Sequence, residues 1–256
     1  MSSKPRVQRI LTIAVLLMAL GSASAQTANP LVFIARAQKA FDLAQKDCLA
    51  DTNSTVAKLH LARASFDLAD MATNEVQRAE FARCGIEVCR QWLAREPKSA
   101  AGHYYLAMNL GELAQAQAPS LTAYKLVHEV EREFKLSAEL DAKFDYAGPA
   151  RNLGELYFQA PGWPLSVGSK RKAIEWIERA AALAPGYPEN QLSLAEVQLK
   201  WRQYDALVTT IKNMEAIWPA ARTNFTGEMW EQSWQDWDAR RRALKTEFQK
   251  THNHDP

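Results

Sequence analysis

Apolar residues recur three and four positions apart along most of this 256-residue chain, the spacing that gathers them on one face of an α-helix. A convincing apolar–polar alternation of the strand kind is missing. The pattern predicts about ten helices, over residues 30–49, 54–71, 74–95, 99–116, 120–142, 148–159, 169–184, 188–201, 203–216 and 224–250. Their interiors are rich in Ala, Leu, Glu, Lys and Gln, which lose little on entering a helix. The breaks carry the expected punctuation: Asn53-Ser54 before the second helix, Pro119-Ser120 at the fifth, Gly148-Pro149 at the sixth, Pro185-Gly186 after the seventh.

The helices come in pairs with a regular period. Ala180-Ala181-Ala182-Leu183-Ala184-Pro185 closes one pair and Met214-Glu215-Ala216-Ile217-Trp218-Pro219 the next. Arg95-Glu96-Pro97 closes an earlier pair. Within the pairs a large residue is followed by a small one at Leu106-Ala107, Leu153-Gly154 and Leu194-Ala195; Ala173, Ile177 and Ala180 supply the facing contacts on a second helix. The interval from Pro185 to Pro219, about 34 residues, together with this large–small step is the signature of tetratricopeptide hairpins. The expected fold is therefore all-α: a tetratricopeptide-like superhelix of helical hairpins, an α-solenoid, with its clearest repeats over 99–219. Trp230, Trp234 and Trp237 share one face of the last helix, 224–250, which suits a cap over the final repeat. With Ala107, Gly154 and Ala195 at the helix contacts, the residues expected to face the concave groove are Tyr104, Met108, Arg151, Glu155, Phe158, Leu192 and Glu196.

One segment departs from the repeat. Between Tyr157 and Ala173 the chain is about seven residues too long, and Gln159-Ala160-Pro161-Gly162-Trp163-Pro164-Leu165-Ser166-Val167-Gly168-Ser169 has two prolines and two glycines that exclude a helix. Trp163 either plugs this loop onto neighbouring helices or forms the aromatic wall of a binding site. Ser169 is placed to cap the next helix, whose free N–H groups suit an anion.

The run Gly148-Pro149-Ala150-Arg151-Asn152-Leu153-Gly154-Glu155-Leu156-Tyr157, then Ala160 to Gly168, then Ala181-Ala182-Leu183-Ala184-Pro185 through Tyr187-Pro188-Glu189-Asn190 resembles a group of bacterial tetratricopeptide proteins. That group is similar to the T-component of TRAP-type transporters and, distantly, to the repeat domain of eukaryotic regulators of microtubule dynamics. The match covers residues 100–220. It implies a helical-repeat fold and, for a T-component, a periplasmic solute-binding protein as partner. Those T-components are commonly lipoproteins; this chain has no Cys for lipid attachment.

Residues 1–25 read as a cleaved secretion signal. Lys4, Arg6 and Arg9 precede an apolar run from Ile10 to Leu20, and Ala23 and Ala25 suit a peptidase that cuts before Gln26. That run is too short to span a bilayer. The expected mature protein, one repeat domain over 26–256, is periplasmic or secreted and has no transmembrane anchor. Taking three basic residues from 31 leaves 28 against 29 acidic, so the mature chain is near neutral and general attraction to nucleic acid is not supported. Arg240-Arg241-Arg242 with Lys245 is a local basic cluster that fits a solvated helix face or an anionic partner. Cys84 and Cys89 are five apart, about 140° around one helix, which is poor disulfide geometry. A bridge would join Cys48 to one of them; otherwise all three are small buried residues.

No zinc motif, nucleophile elbow, phosphate loop or dinucleotide fingerprint occurs, and His103 occupies a core position of a repeat helix. No catalytic residue, metal or cofactor is expected. What remains is a non-catalytic scaffold for a protein partner, or a component that binds a small apolar or anionic ligand for transport.

Overall fold

A computed structural model describes residues 30–252. The secretion signal expected over 1–25 lies outside the described residues. Ten α-helices follow in order: α1 (Pro30–Ala50), α2 (Thr55–Asp70), α3 (Glu75–Leu93), α4 (Ala100–Ala116), α5 (Leu121–Leu140), α6 (Phe144–Gln159), α7 (Lys170–Leu183), α8 (Pro188–Lys200), α9 (Tyr204–Asn224) and α10 (Glu231–His252). A 3₁₀ turn, Glu228–Trp230, leads into α10. Five starts are fixed by side-chain caps, where Ser54, Asn74, Ser99, Ser120 and Ser169 accept from the backbone N–H three residues on.

Four hairpins, α2–α3, α4–α5, α6–α7 and α8–α9, stack side by side. α2 lies against α4, α4 against α6 and α6 against α8, so the first helices of successive hairpins run together. The close approach rests on small residues. Gly154 on α6 is seated so tightly on α7 that an added Cβ would lie 2.9 Å from the Ile177 nitrogen and 3.2 Å from the Ala173 carbonyl. The large–small register read from Leu153-Gly154 is the one the helices use.

Two elements differ from expectation. α9 does not stop before Pro219 but runs through it to Asn224. Proline forfeits one hydrogen bond and crowds the preceding turn, at a cost of about 3 kcal/mol. The apolar row Leu207, Met214, Trp218, Ala221, continued by Phe225, is buried against the C-terminal cap, and this packing outweighs that cost. The cap itself carries Trp230, Trp234 and Trp237 inward, with Trp237 wholly buried. Trp218 meets Trp234 edge-on at 5.6 Å, and Trp234 donates its ring N–H to the Phe225 carbonyl at 2.6 Å.

The expected open concave groove is also absent at the centre of the stack. α4 is buried on every side from Gly102 to Ala114, α6 from Ala147 to Tyr157, and α8 nearly throughout. The first helices are thus enclosed rather than presented to solvent. Cys48, Cys84 and Cys89 are free thiols; Cys48 and Cys84 are half-buried and Cys89 is in the core, where burial pushes its pKa far up. Among the described residues no helix is long and apolar enough to cross a membrane.

Candidate interaction site

The local chain path at the start of α6 organises the predicted site. Asp145, Tyr146 and Ala147 are all left-handed, with φ of 49°, 55° and 63°. None is glycine, and each such residue costs about 1–2 kcal/mol. The right-handed helix begins at Gly148, and Pro149 falls in its first turn, where a missing N–H breaks no bond. The left-handed turn is held from three directions. Asp145 accepts from the Tyr104 hydroxyl of α4 at 2.7 Å and lies 3.8 Å from the Arg151 guanidinium. The Tyr146 carbonyl accepts from Asn190 of α8 at 3.0 Å, and the Tyr146 ring stacks on Tyr187 at 4.6 Å.

Arg151 is 2% exposed. It donates to Asn190 Oδ1 at 2.9 Å and sits 5.2 Å over the Tyr187 ring. Burial works against its charge, and the carboxylates of Asp145 and Glu189 sustain it. One turn on, Glu155 accepts from Ser193 at 2.8 Å; its other oxygen is buried without a protein hydrogen bond. Burial and the charge of Glu189 raise its pKa to about 7, against the opposing Arg151 and Arg240.

The cap continues this seam. Arg240 reaches Glu196 by two bonds of 2.8 Å, pairs with Glu189, and lies 3.2 Å from Asp236. Trp237 donates to Glu189 at 2.6 Å. Arg241 pairs with Glu215 and stands 4.6 Å over Trp218. Arg240 and Arg241 are therefore not a solvated face, because one joins the cap to α8 and the other joins it to α9. The spacing could have shown part of this. Arg240 stands three residues after Trp237 and so shares its inward side.

Six of the predicted residues thus fall in or beside one seam: Tyr104 and Met108 of α4, Arg151 and Glu155 of α6, Leu192 and Glu196 of α8. They do not line a groove. Tyr104, Met108 and Leu192 are wholly buried, since the packed neighbours fill the space that an open superhelix would leave. Asn152 donates toward the Tyr104 oxygen and the Met108 sulfur, each at 3.2 Å, which seals α6 to α4. Glu196 is half-buried under Arg240. Phe158 is half-buried and meets Trp201 edge-on at 5.4 Å.

Trp163 is not brought to this seam. It is 89% exposed, so the packing role considered for it does not hold. The loop is nevertheless tightly held at its base. Gly162 and Gly168 form a bridge, the Gly168 N–H donates to the Pro161 carbonyl at 2.9 Å, and the Ser169 N–H donates to the Tyr157 carbonyl at 2.9 Å. A Cβ on Gly168 would come within 2.8 Å of the Pro161 carbonyl oxygen, so only glycine allows the two arms to meet. His103 has both ring nitrogens engaged, Nδ1 with Glu133 at 2.5 Å and Nε2 with the Pro97 carbonyl at 2.9 Å, which makes it a structural histidine.

Neither a protein-family model nor a curated protein sequence matches the chain. Among solved structures it is similar to TTC0263, a thermophilic TPR protein of Thermus thermophilus, with a TM-score of 0.58 at 18% identity, covering 76% of this chain and 91% of that one. It is also matched to yeast Tom70, at a TM-score of 0.33 and 12% identity over 87% of this chain and 61% of that one, a likeness too loose to bear weight. The fold is that of a tetratricopeptide-like helical-repeat protein. Kinship with the T-components of TRAP transporters finds no support in these comparisons.

Proposed function

We propose that the chain is an exported, non-catalytic helical-repeat scaffold that holds a protein partner in the periplasm. The observation that carries this reading is the use made of the polar residues at its centre. Arg151, Glu155, Glu189, Glu196 and Arg240 engage one another and the backbone, tying α6, α8 and α10 into one frame. His103 is likewise committed on both nitrogens. Side chains so engaged hold a shape, and a repeat frame of fixed shape serves to present surface to another protein. Because the first helices are enclosed, the partner meets the outside of the frame rather than a groove.

Export rests on the basic, apolar and small-residue order of positions 1–25. A role beside a TRAP-type transporter, with a periplasmic solute-binding protein as partner, rests on the motif at 148–190 alone. Crosslinking in intact cells, followed by purification and mass spectrometry, tests the scaffold reading. A defined periplasmic protein in near-stoichiometric yield is expected, and the mature chain should begin at Gln26. Recovery of the uncrosslinked chain alone, or a mature form that retains Met1 in the cytoplasm, overturns it.

A further inference from the structure

The hairpin topology puts all four turns between first and second helices on one edge of the stack, because α2, α4, α6 and α8 run side by side. That edge is unusual in what it exposes. At the α6–α7 turn Trp163 is 89% and Leu165 60% exposed, at the tip of a loop closed at its base by the Gly162–Gly168 bridge. At the neighbouring α4–α5 turn Leu121 is 81% exposed. Two successive turns on this edge therefore expose large apolar side chains.

Cations outnumber acids at these turns, where the exposed Asp205 follows Arg202 by three residues. Lys170 and Arg171 follow directly on the loop, and Lys200 and Arg202 lie at the adjoining α8–α9 turn, all exposed. Lys170 stands 5.2 Å over the Trp201 ring, which ties the two turns together. Arg171 is balanced by Glu175 at 3.4 Å, whereas among the described residues no carboxylate pairs with Lys170, Lys200 or Arg202. The mature chain is near neutral, so this excess of positive charge is local.

We propose that this edge docks on an anionic lipid bilayer, with Trp163 and Leu165 entering the interface and Lys170, Lys200 and Arg202 at the level of the headgroups. The shape favours lipid over an acidic protein. Side chains as exposed as Trp163 and Leu121 have little protein packed against them, which matches a planar and deformable surface, whereas a protein hot spot sits in a packed pocket. Tryptophan settles at the boundary of headgroup and acyl chain, and lysine and arginine gain from anionic lipid within a Debye length. Leu121 on the neighbouring turn gives a second point of contact and so fixes the tilt of the frame.

The test is co-sedimentation of the full mature chain with phosphatidylglycerol vesicles against phosphatidylcholine vesicles. Binding to the anionic vesicles only, weakened by added salt, is expected. Lys200→Gln with Arg202→Gln should weaken it about fivefold per charge, and Trp163→Ala with Leu165→Ser about tenfold or more. All four side chains are exposed, so the thermal midpoint should not move. Trp163→Phe should keep most of the binding while removing the larger part of the quenching of tryptophan fluorescence by brominated phosphatidylglycerol, the remainder coming from half-buried Trp201 beneath Lys170. Equal sedimentation with both lipids overturns the proposal, as does quenching in Trp163→Phe as strong as in the parent. Capture on immobilised poly-glutamate without vesicle binding, lost in the Trp163→Ala, Leu165→Ser variant, overturns it in favour of an acidic polypeptide.

Discussion

Gly154→Leu tests whether α6 and α7 are held apart by nothing larger than a hydrogen atom. A Cβ at this position would lie 2.9 Å from the Ile177 backbone nitrogen and closer still to its side chain. Ordinary contacts of this kind begin near 3.4 Å, so α7 must retreat by a few tenths of an ångström even for alanine. A side chain tip can swing away, but the Ile177 nitrogen and the Ala173 carbonyl move only with the whole of α7. Alanine recovers about 1 kcal/mol of helix propensity over glycine, which offsets part of an overpacking cost of about 1–3 kcal/mol. Leucine brings three more carbons into a contact that has no room and should fall at the upper end, about 3 kcal/mol. For a chain of this size each kcal/mol moves the midpoint by about 2–4 °C, so Gly154→Leu should melt about 6–12 °C below the parent. The control is Gly186→Leu, where a Cβ meets nothing within 4 Å and the change should stay within about 0.5 kcal/mol. Thermal unfolding followed by far-ultraviolet circular dichroism decides the matter. If the two variants melt together, the packing argued for the α6–α7 contact is wrong.

Glu155 has a folded pKa near 7, above its unfolded value, so the native state binds the extra proton and stability should fall as pH rises from about 4.5 to about 7. Glu155→Gln should flatten that fall, raising stability at pH 8 by up to about 3 kcal/mol while leaving pH 4 nearly unchanged, as urea midpoints at the two pH values will show. Arg240→Met leaves the fully buried Glu189 without its counter-charge and should cost about 3–5 kcal/mol, most of it recovered when Glu189→Gln is added; strictly additive losses in that double-mutant cycle would refute the pairing. Cys89, with no exposed surface and a pKa pushed far up by burial, should resist aromatic disulfide reagents until urea unfolds the chain, and its prompt labelling in the native protein would contradict its placement.

The helices, their capping serines and the Gly154 contact were legible because each follows from local spacing: a 3.6-residue period, a hydroxyl before an apolar run, a small residue after a large one. The inward tryptophan face of α10 was legible for the same reason. What escaped is set by neighbours far along the chain. Periodicity shows that Tyr104, Met108 and Leu192 have a preferred side but not whether that side meets solvent or another helix, and here it meets another helix. Pro219 reads as a stop, yet the aromatic packing of Trp218 and Phe225 carries α9 past it. Asp145-Tyr146-Ala147 contains neither Gly nor Asn, so nothing local announced a left-handed turn. The loop at 160–169 was visible as an insertion, but prolines and glycines say only that it is bent, not that Trp163 points outward.

The left-handed turn bears on how the molecule comes apart. Stacked repeats ordinarily unfold like beads, each lost at a cost set by its own stability and one neighbour. Here three strained residues at the head of α6 are held by Tyr104 from the hairpin before and by Asn190 and Tyr187 from the hairpin after. Release on either side sets free the conformational strain and so loosens the grip on the other. The last three hairpins then behave as one cooperative unit, and native-state hydrogen exchange should find the amides of α4, α6 and α8 opening in a single event while α1 frays alone.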